Sequence, residues 1–259
     1  MAEQAAVVEG SHDGRIRWWD PVIAFVGGSA AGIVLASILG GAALLIAMRM
    51  GYQPSGPKLI TLLKTSFATN QFGLAVSDLG LLLVVWLVAR RRMVGPIAHY
   101  FRPIDSRTLL LALGGGLALS LVLNGANEIL YYARIVRFQS SDMERALVPH
   151  TAIQFLLSIA VVSLLAPFVE EFLFRGLLVD WLKRRGLWIA AIASALAFAA
   201  VHGQFLIHPG VQGWLYTVEL LIAGVILALV VARTGSLRTS LATHAAYNAA
   251  ATLLSMFFV

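Results

Sequence analysis

The chain has 259 residues, 59% of them hydrophobic and 12% charged, with a mean hydropathy of +0.83. So little polar surface cannot cover a water-soluble globule, which excludes one. The net charge of +6 sits on arginines at the ends of apolar runs, where they anchor helices at a membrane surface, so no nucleic-acid partner is expected; with no cysteine, disulfides, thiolate nucleophiles and Cys-ligated metal are excluded as well.

Residues 1–21 read as a polar N-terminal tail that carries both signs of charge and lacks the apolar h-region of a signal peptide. Residues 22–259 read as one domain, since no repeat, low-complexity tract or long linker divides them. A helix needs about twenty apolar residues to cross the hydrocarbon. Segments 22–48, 70–89, 108–132, 151–182, 188–203, 213–232 and 238–257 meet that length or approach it, and residues 58–69 (KLITLLKTSFAT) add an eighth if they dip into the bilayer. The expected fold class is therefore all-α, a polytopic integral membrane helical bundle with seven to eight transmembrane helices. Gly27, Gly28 and Gly114 to Gly116 mark surfaces where helices approach closely. Residues 134–149 mix charge with apolar side chains and are expected to lie as an interfacial connection, and His208 in LIHPG is expected to be a solvated loop histidine.

With the N-terminus inside, the inner connections hold twelve Lys and Arg and the outer ones six, while Arg175 falls within a span. This bias predicts a multi-pass protein of the cell (inner) membrane with a cytoplasmic N-terminus.

Ionisable groups in hydrocarbon are expensive and mark function. Here they are Asp78, Glu128 near Asn124 and Asn127, Glu170, Glu171, Arg175, His202, Glu219, and His244 with Asn248. In FVEEFLFRG, Glu171 and Arg175 stand at i and i+4 and can pair, whereas Glu170 is turned about 100° away. Arg175 would thus neutralise and orient Glu171, leaving Glu170 for a hydrated target. Pro167 lacks an amide hydrogen and can open the helix nearby. In FAAVH, His202 lies one turn after Phe198, and in HAAYN, His244 and Asn248 share a face. Each element alone also reads as a structural network or interhelical hydrogen-bond pair.

Together they supply a hydrolytic inventory. Glu170 and His202 can hold and deprotonate a water, and His244 and Asn248 can donate to an oxyanion. Alternatively, Glu170, His202 and His244 can ligate a zinc ion whose water is the nucleophile. Measured from Trp181, Trp188 and Arg238, Glu170, His202 and His244 lie about 16, 21 and 9 Å deep at about 1.5 Å per residue, a range that helix tilt can reconcile.

EExxxR, FxxxH and HxxxN, in that order on successive late spans, resemble the CPBP family of intramembrane proteases, which also comprises CAAX proteases, Abi proteins and bacteriocin-processing enzymes. The likeness runs from about residue 151 to the C-terminus. It implies a metalloprotease or glutamate protease in which Glu170 is the catalytic carboxylate, Glu171 and Arg175 support it, His202 shares its water, and His244 and Asn248 complete the site. It further implies a membrane-associated peptide or protein substrate, such as a prenylated tail or a leader peptide, in contact with membrane lipid. Some members act as bacteriocin-immunity or scaffold proteins without turnover, which is the alternative reading. A transporter is a weaker rival, because no paired halves are visible.

Overall fold

The computed structural model describes residues 16–53, 55–92, 97–208 and 210–258, so most of the polar tail, residues 1–15, lies outside the described residues. Regular structure among the described residues is helical throughout. Nine helices in chain order set the frame: α1 (Trp19–Arg49), α2 (Gly56–Thr65), α3 (Phe67–Arg92), α4 (Ser106–Tyr132), α5 (Asp142–Leu147), α6 (Ala152–Arg185), α7 (Leu187–His202), α8 (Val211–Thr234) and α9 (Leu237–Phe258).

Six of the described helices are long and apolar enough to cross a membrane: α1, α3, α4, α6, the helical run Leu187–Ile207 that contains α7, and α8. The chain is an integral, multi-pass membrane protein. The seventh expected span corresponds to the 22-residue α9, long enough to cross but left out of these six because its threonines, His244 and Asn248 dilute its apolar character. The eighth is not a span. Residues 58–65 fall in α2, ten residues long with none buried and too short to cross, and residues 67–69 open α3. Apolar side chains such as Leu110, Leu111, Ile129, Leu156 and Trp188 face outward, as lipid contact requires.

Lipid tails are as apolar as leucine, so these helices gain by packing closely rather than by escaping water. A Cβ added at Gly28 would come within 2.8 Å of the Leu81 backbone, and one at Gly80 would overlap the backbone of Gly32, so α1 and α3 pack through glycine. Gly116 of α4 meets the carbonyl of Thr243, one residue before His244 on α9. Gly114 and Gly115 face open space.

One end of the bundle collects the basic residues. There Asp20 accepts from the Arg17 amide at 2.7 Å and pairs with Arg92 at 3.3 Å, and the Ser236 hydroxyl donates to the Arg102 carbonyl at 2.7 Å. Tyr100 donates to Asp180 at 3.2 Å, and burial, then the Asp180 charge, raise its hydroxyl above the ordinary phenol range.

At the opposite end the expectation for His208 fails. Its side chain is buried, 3% exposed, with Nε2 2.8 Å from Glu144 and Nδ1 3.1 Å from the Gln212 amide. Gln212 also exchanges two hydrogen bonds of 2.9 Å with the Gln139 backbone. The 134–149 connection is therefore tied down, and its α5 opens on a Ser141/Glu144 capping box.

Candidate active site

Helix α6 is irregular where the carboxylates sit. Two π-helical stretches, Ile159–Leu165 and Phe172–Leu178, flank the α-helical turn Ala166–Glu171. Such stretches cluster at functional sites because each shifts the register of the side chains that follow. Pro167 has no N–H for the carbonyl five residues earlier, that of Val162, and Asn248 Nδ2 donates to it instead at 2.8 Å. One of the two N–H groups of Asn248 is thereby used to hold α9 against α6.

Glu171 and Arg175 pair at 3.2 Å as expected and are sealed from solvent, at 1% and 0% side-chain exposure. Arg175 Nη2 also donates to the Gly224 carbonyl at 3.1 Å, joining α8. Gly224 has to be small, since a Cβ there would lie 2.8 Å from that of Ala195. Glu171 Oε1 accepts from His244 Nδ1 at 2.9 Å. Held between these two partners, the Glu171 carboxylate fixes the imidazole's orientation and tautomer.

Glu170 points elsewhere. Its carboxylate is 21% exposed and stands 3.6 Å from His244 Nε2 and 3.7 Å from His202 Nε2. His202 Nδ1 is anchored 2.8 Å from the Phe198 carbonyl. Each imidazole thus spends its Nδ1 proton on a fixed acceptor, so the neutral ring turns an Nε2 lone pair towards Glu170. These separations are too long for direct hydrogen bonds, and a bridging water could donate to two of the three acceptors.

These groups open onto a cavity of about 280 Å³ that Glu170, His202, His244 and Asn248 all line. The structure therefore brings together all six residues singled out in the sequence, four on the cavity and Glu171 with Arg175 directly behind it. For zinc, the donors of the expected kind are Glu170, His202 and His244, but among the described residues no group of three His, Cys, Asp or Glu side chains is arranged to hold a metal ion. The chemistry below runs through this chain's own groups.

Sequence reasoning undervalued two residues. The Phe198 ring lies 4.5 Å from the His202 ring, 5.7 Å from the His244 ring and 4.7 Å from the Arg175 guanidinium carbon. It is the platform on which both imidazoles and the arginine rest, and its place in FxxxH was the available signal. Asp78 of α3 lines the same cavity, with Oδ2 buried and unpartnered among the described residues. Nothing in the sequence linked it to Glu170, ninety-two positions later. Glu128 and Asn124 do not face this cavity; they line a separate pocket towards the far end of α4.

Fold and cavity define a multi-pass helical membrane protein with a buried carboxylate and imidazole centre. The family model described as Type II CAAX prenyl endopeptidase Rce1-like matches residues 152–250, the region that carries the three motifs and all six candidate residues. The chain is also 30% identical over 92 residues to an uncharacterized 24.3 kDa protein of Escherichia coli, a match covering 34% of this chain and 40% of that protein, less than half the relative's length. No solved structure matches.

Proposed function

We propose that the protein is an intramembrane endopeptidase of CPBP type that hydrolyses a peptide bond of a membrane-associated protein or peptide. The observation that carries this reading is the convergence of Glu170 with two Nε2 atoms, each on a ring whose Nδ1 is already engaged. Water held among them gives one proton to Glu170 as its oxygen attacks the scissile carbonyl carbon. A lone pair on His202 Nε2 accepts from the second proton and aims the attack. The oxyanion that forms accepts the second N–H of Asn248, and Glu170 passes its proton to the leaving amine as the carbon–nitrogen bond breaks. Glu171 and Arg175 take no part in bond making; they hold His244 and keep buried charge balanced.

The test is cleavage of membrane peptides by purified protein in liposomes. Glu170→Gln and His202→Ala are expected to lower turnover by about 10²- to 10⁴-fold, the scale of a lost general base, in protein that still folds. A chelator arm addresses zinc, which would draw on the same three donors. Cleavage by neither wild type nor variants, with a cellular phenotype retained, would remove the enzyme reading in favour of an immunity or scaffold role, and equal turnover in all of them would remove Glu170 and His202 from the chemistry. A cytoplasmic N-terminus in the cell membrane and a prenylated tail or leader peptide as substrate belong to the same proposal.

A further inference from the structure

At the end of the bundle away from the basic residues, a second, open pocket of about 780 Å³ lies among α4, α8, α9 and the connection after α4. Glu128, Tyr131 and Tyr132 share one face of α4 at helical spacing and line it. Phe138 and Tyr216, whose rings stack at 5.7 Å, close another side. Asn124 donates its Nδ2 to the Ser120 carbonyl at 2.8 Å, which leaves its Oδ1 to accept. Glu128 is half-buried, and no hydrogen-bond or ion-pair partner meets it among the described residues.

An aromatic belt accounts for tyrosines at a helix end. It does not account for an unpartnered carboxylate between them, beside an amide oxygen. Aromatic faces, a carboxylate and a carbonyl oxygen are together the chemistry that selects an organic ammonium: the cation lies against the rings, and its N–H groups reach the oxygens. We infer that this pocket binds a primary ammonium group, independently of the hydrolytic cavity. The group can arrive on a lipid headgroup or as a free amine. On the turn from Tyr132 to Phe138, Arg134 and Arg137 are exposed, which suits the phosphate that accompanies an ammonium in a zwitterionic headgroup.

Native mass spectrometry of the purified full chain, offered equal phosphatidylethanolamine and phosphatidylglycerol, tests this, with calorimetry of free ethanolamine as the soluble arm. Wild type is expected to retain phosphatidylethanolamine preferentially. Glu128→Gln, which keeps the side-chain shape, is expected to reduce that preference about tenfold, and Tyr132→Leu to reduce it as well, with phosphatidylglycerol retention unchanged. Lipid preference that ethanolamine does not displace assigns the headgroup as source, whereas ethanolamine binding without lipid preference assigns the free amine. Equal retention of both lipids with no ethanolamine binding overturns the inference, as does a Glu128→Gln protein that behaves as wild type in both arms.

Discussion

Replacing Glu171 with Gln removes the charge that faces Arg175 at 3.2 Å in a site closed to solvent. A guanidinium left buried without its counter-charge costs about 3–5 kcal/mol, whereas exchanging both partners for apolar groups is often neutral. Glu171→Gln is therefore expected to lower the thermal stability of the purified protein sharply, and Glu171→Gln with Arg175→Met to recover most of it. Cleavage should return in neither, because His244 Nδ1 has lost its charged acceptor in both. Glu170→Gln should do the reverse, leaving stability near wild type while turnover collapses, since that carboxylate is partly exposed and no direct hydrogen bond depends on it. Melting curves and turnover on the same preparations separate the two glutamates; a severe stability loss from Glu170→Gln would reverse their assignment. The Phe198 platform gives a third residue-scale outcome. Phe198→Leu preserves apolar volume but removes the face under Arg175 and both imidazoles. Turnover is expected to fall about tenfold, the scale of one lost cation–π contact, with a smaller change in substrate affinity.

At the scale of helices, Pro167 and Asn248 are two halves of one arrangement. The proline withholds an N–H from the π register, and the asparagine of another helix supplies one to Val162 at 2.8 Å. Asn248→Ala leaves that carbonyl bare, at a cost of about 1–3 kcal/mol. Adding Pro167→Ala restores a backbone donor, so stability should recover in the double variant. If the remaining N–H of Asn248 serves the oxyanion, turnover should stay low there, and recovery of both would reduce Asn248 to a helix clamp. This element also shows what sequence could convey. The i,i+4 spacing of Glu171 and Arg175 predicted their ion pair, because both lie on one helix and local geometry decides it. The order of motifs pointed to a common site. The two imidazoles' closely matched distances to Glu170, 3.7 and 3.6 Å, were not legible, since they depend on how three helices tilt and on two π-helical stretches with no sequence rule of their own. That Asp78 stands on the same cavity as Glu170 was illegible for the same reason, and His208 was misread because Glu144, which covers it, comes from a segment 64 residues earlier.

For the molecule as a whole, the two ends differ in chemistry. Asp20, Arg92, Asp180 and Lys183 gather at one, and the Glu144, His208 and Gln212 network at the other. The excess of Lys and Arg at the first end predicts that this end faces the cytoplasm, because positive segments are retained on that side. A natural absence of cysteine makes this directly measurable, as any single introduced thiol is the sole target of a maleimide. Arg184 and Asp142 sit on opposite ends, are both exposed, and lie outside the candidate site. In intact cells, an impermeant maleimide is expected to label Asp142→Cys and to spare Arg184→Cys until the membrane is opened. The reverse pattern would place the basic end outside and turn the whole reading of access around. The hydrolytic cavity bears on the same experiment. His202 and Glu170 keep 29% and 21% of their side-chain surface accessible, so water must reach them from somewhere. A thiol placed at Leu119, on the cavity wall, should therefore react with a small permeant reagent in folded protein; silence there would mean a sealed cavity, in which Glu170 could not be resupplied with water between turnovers.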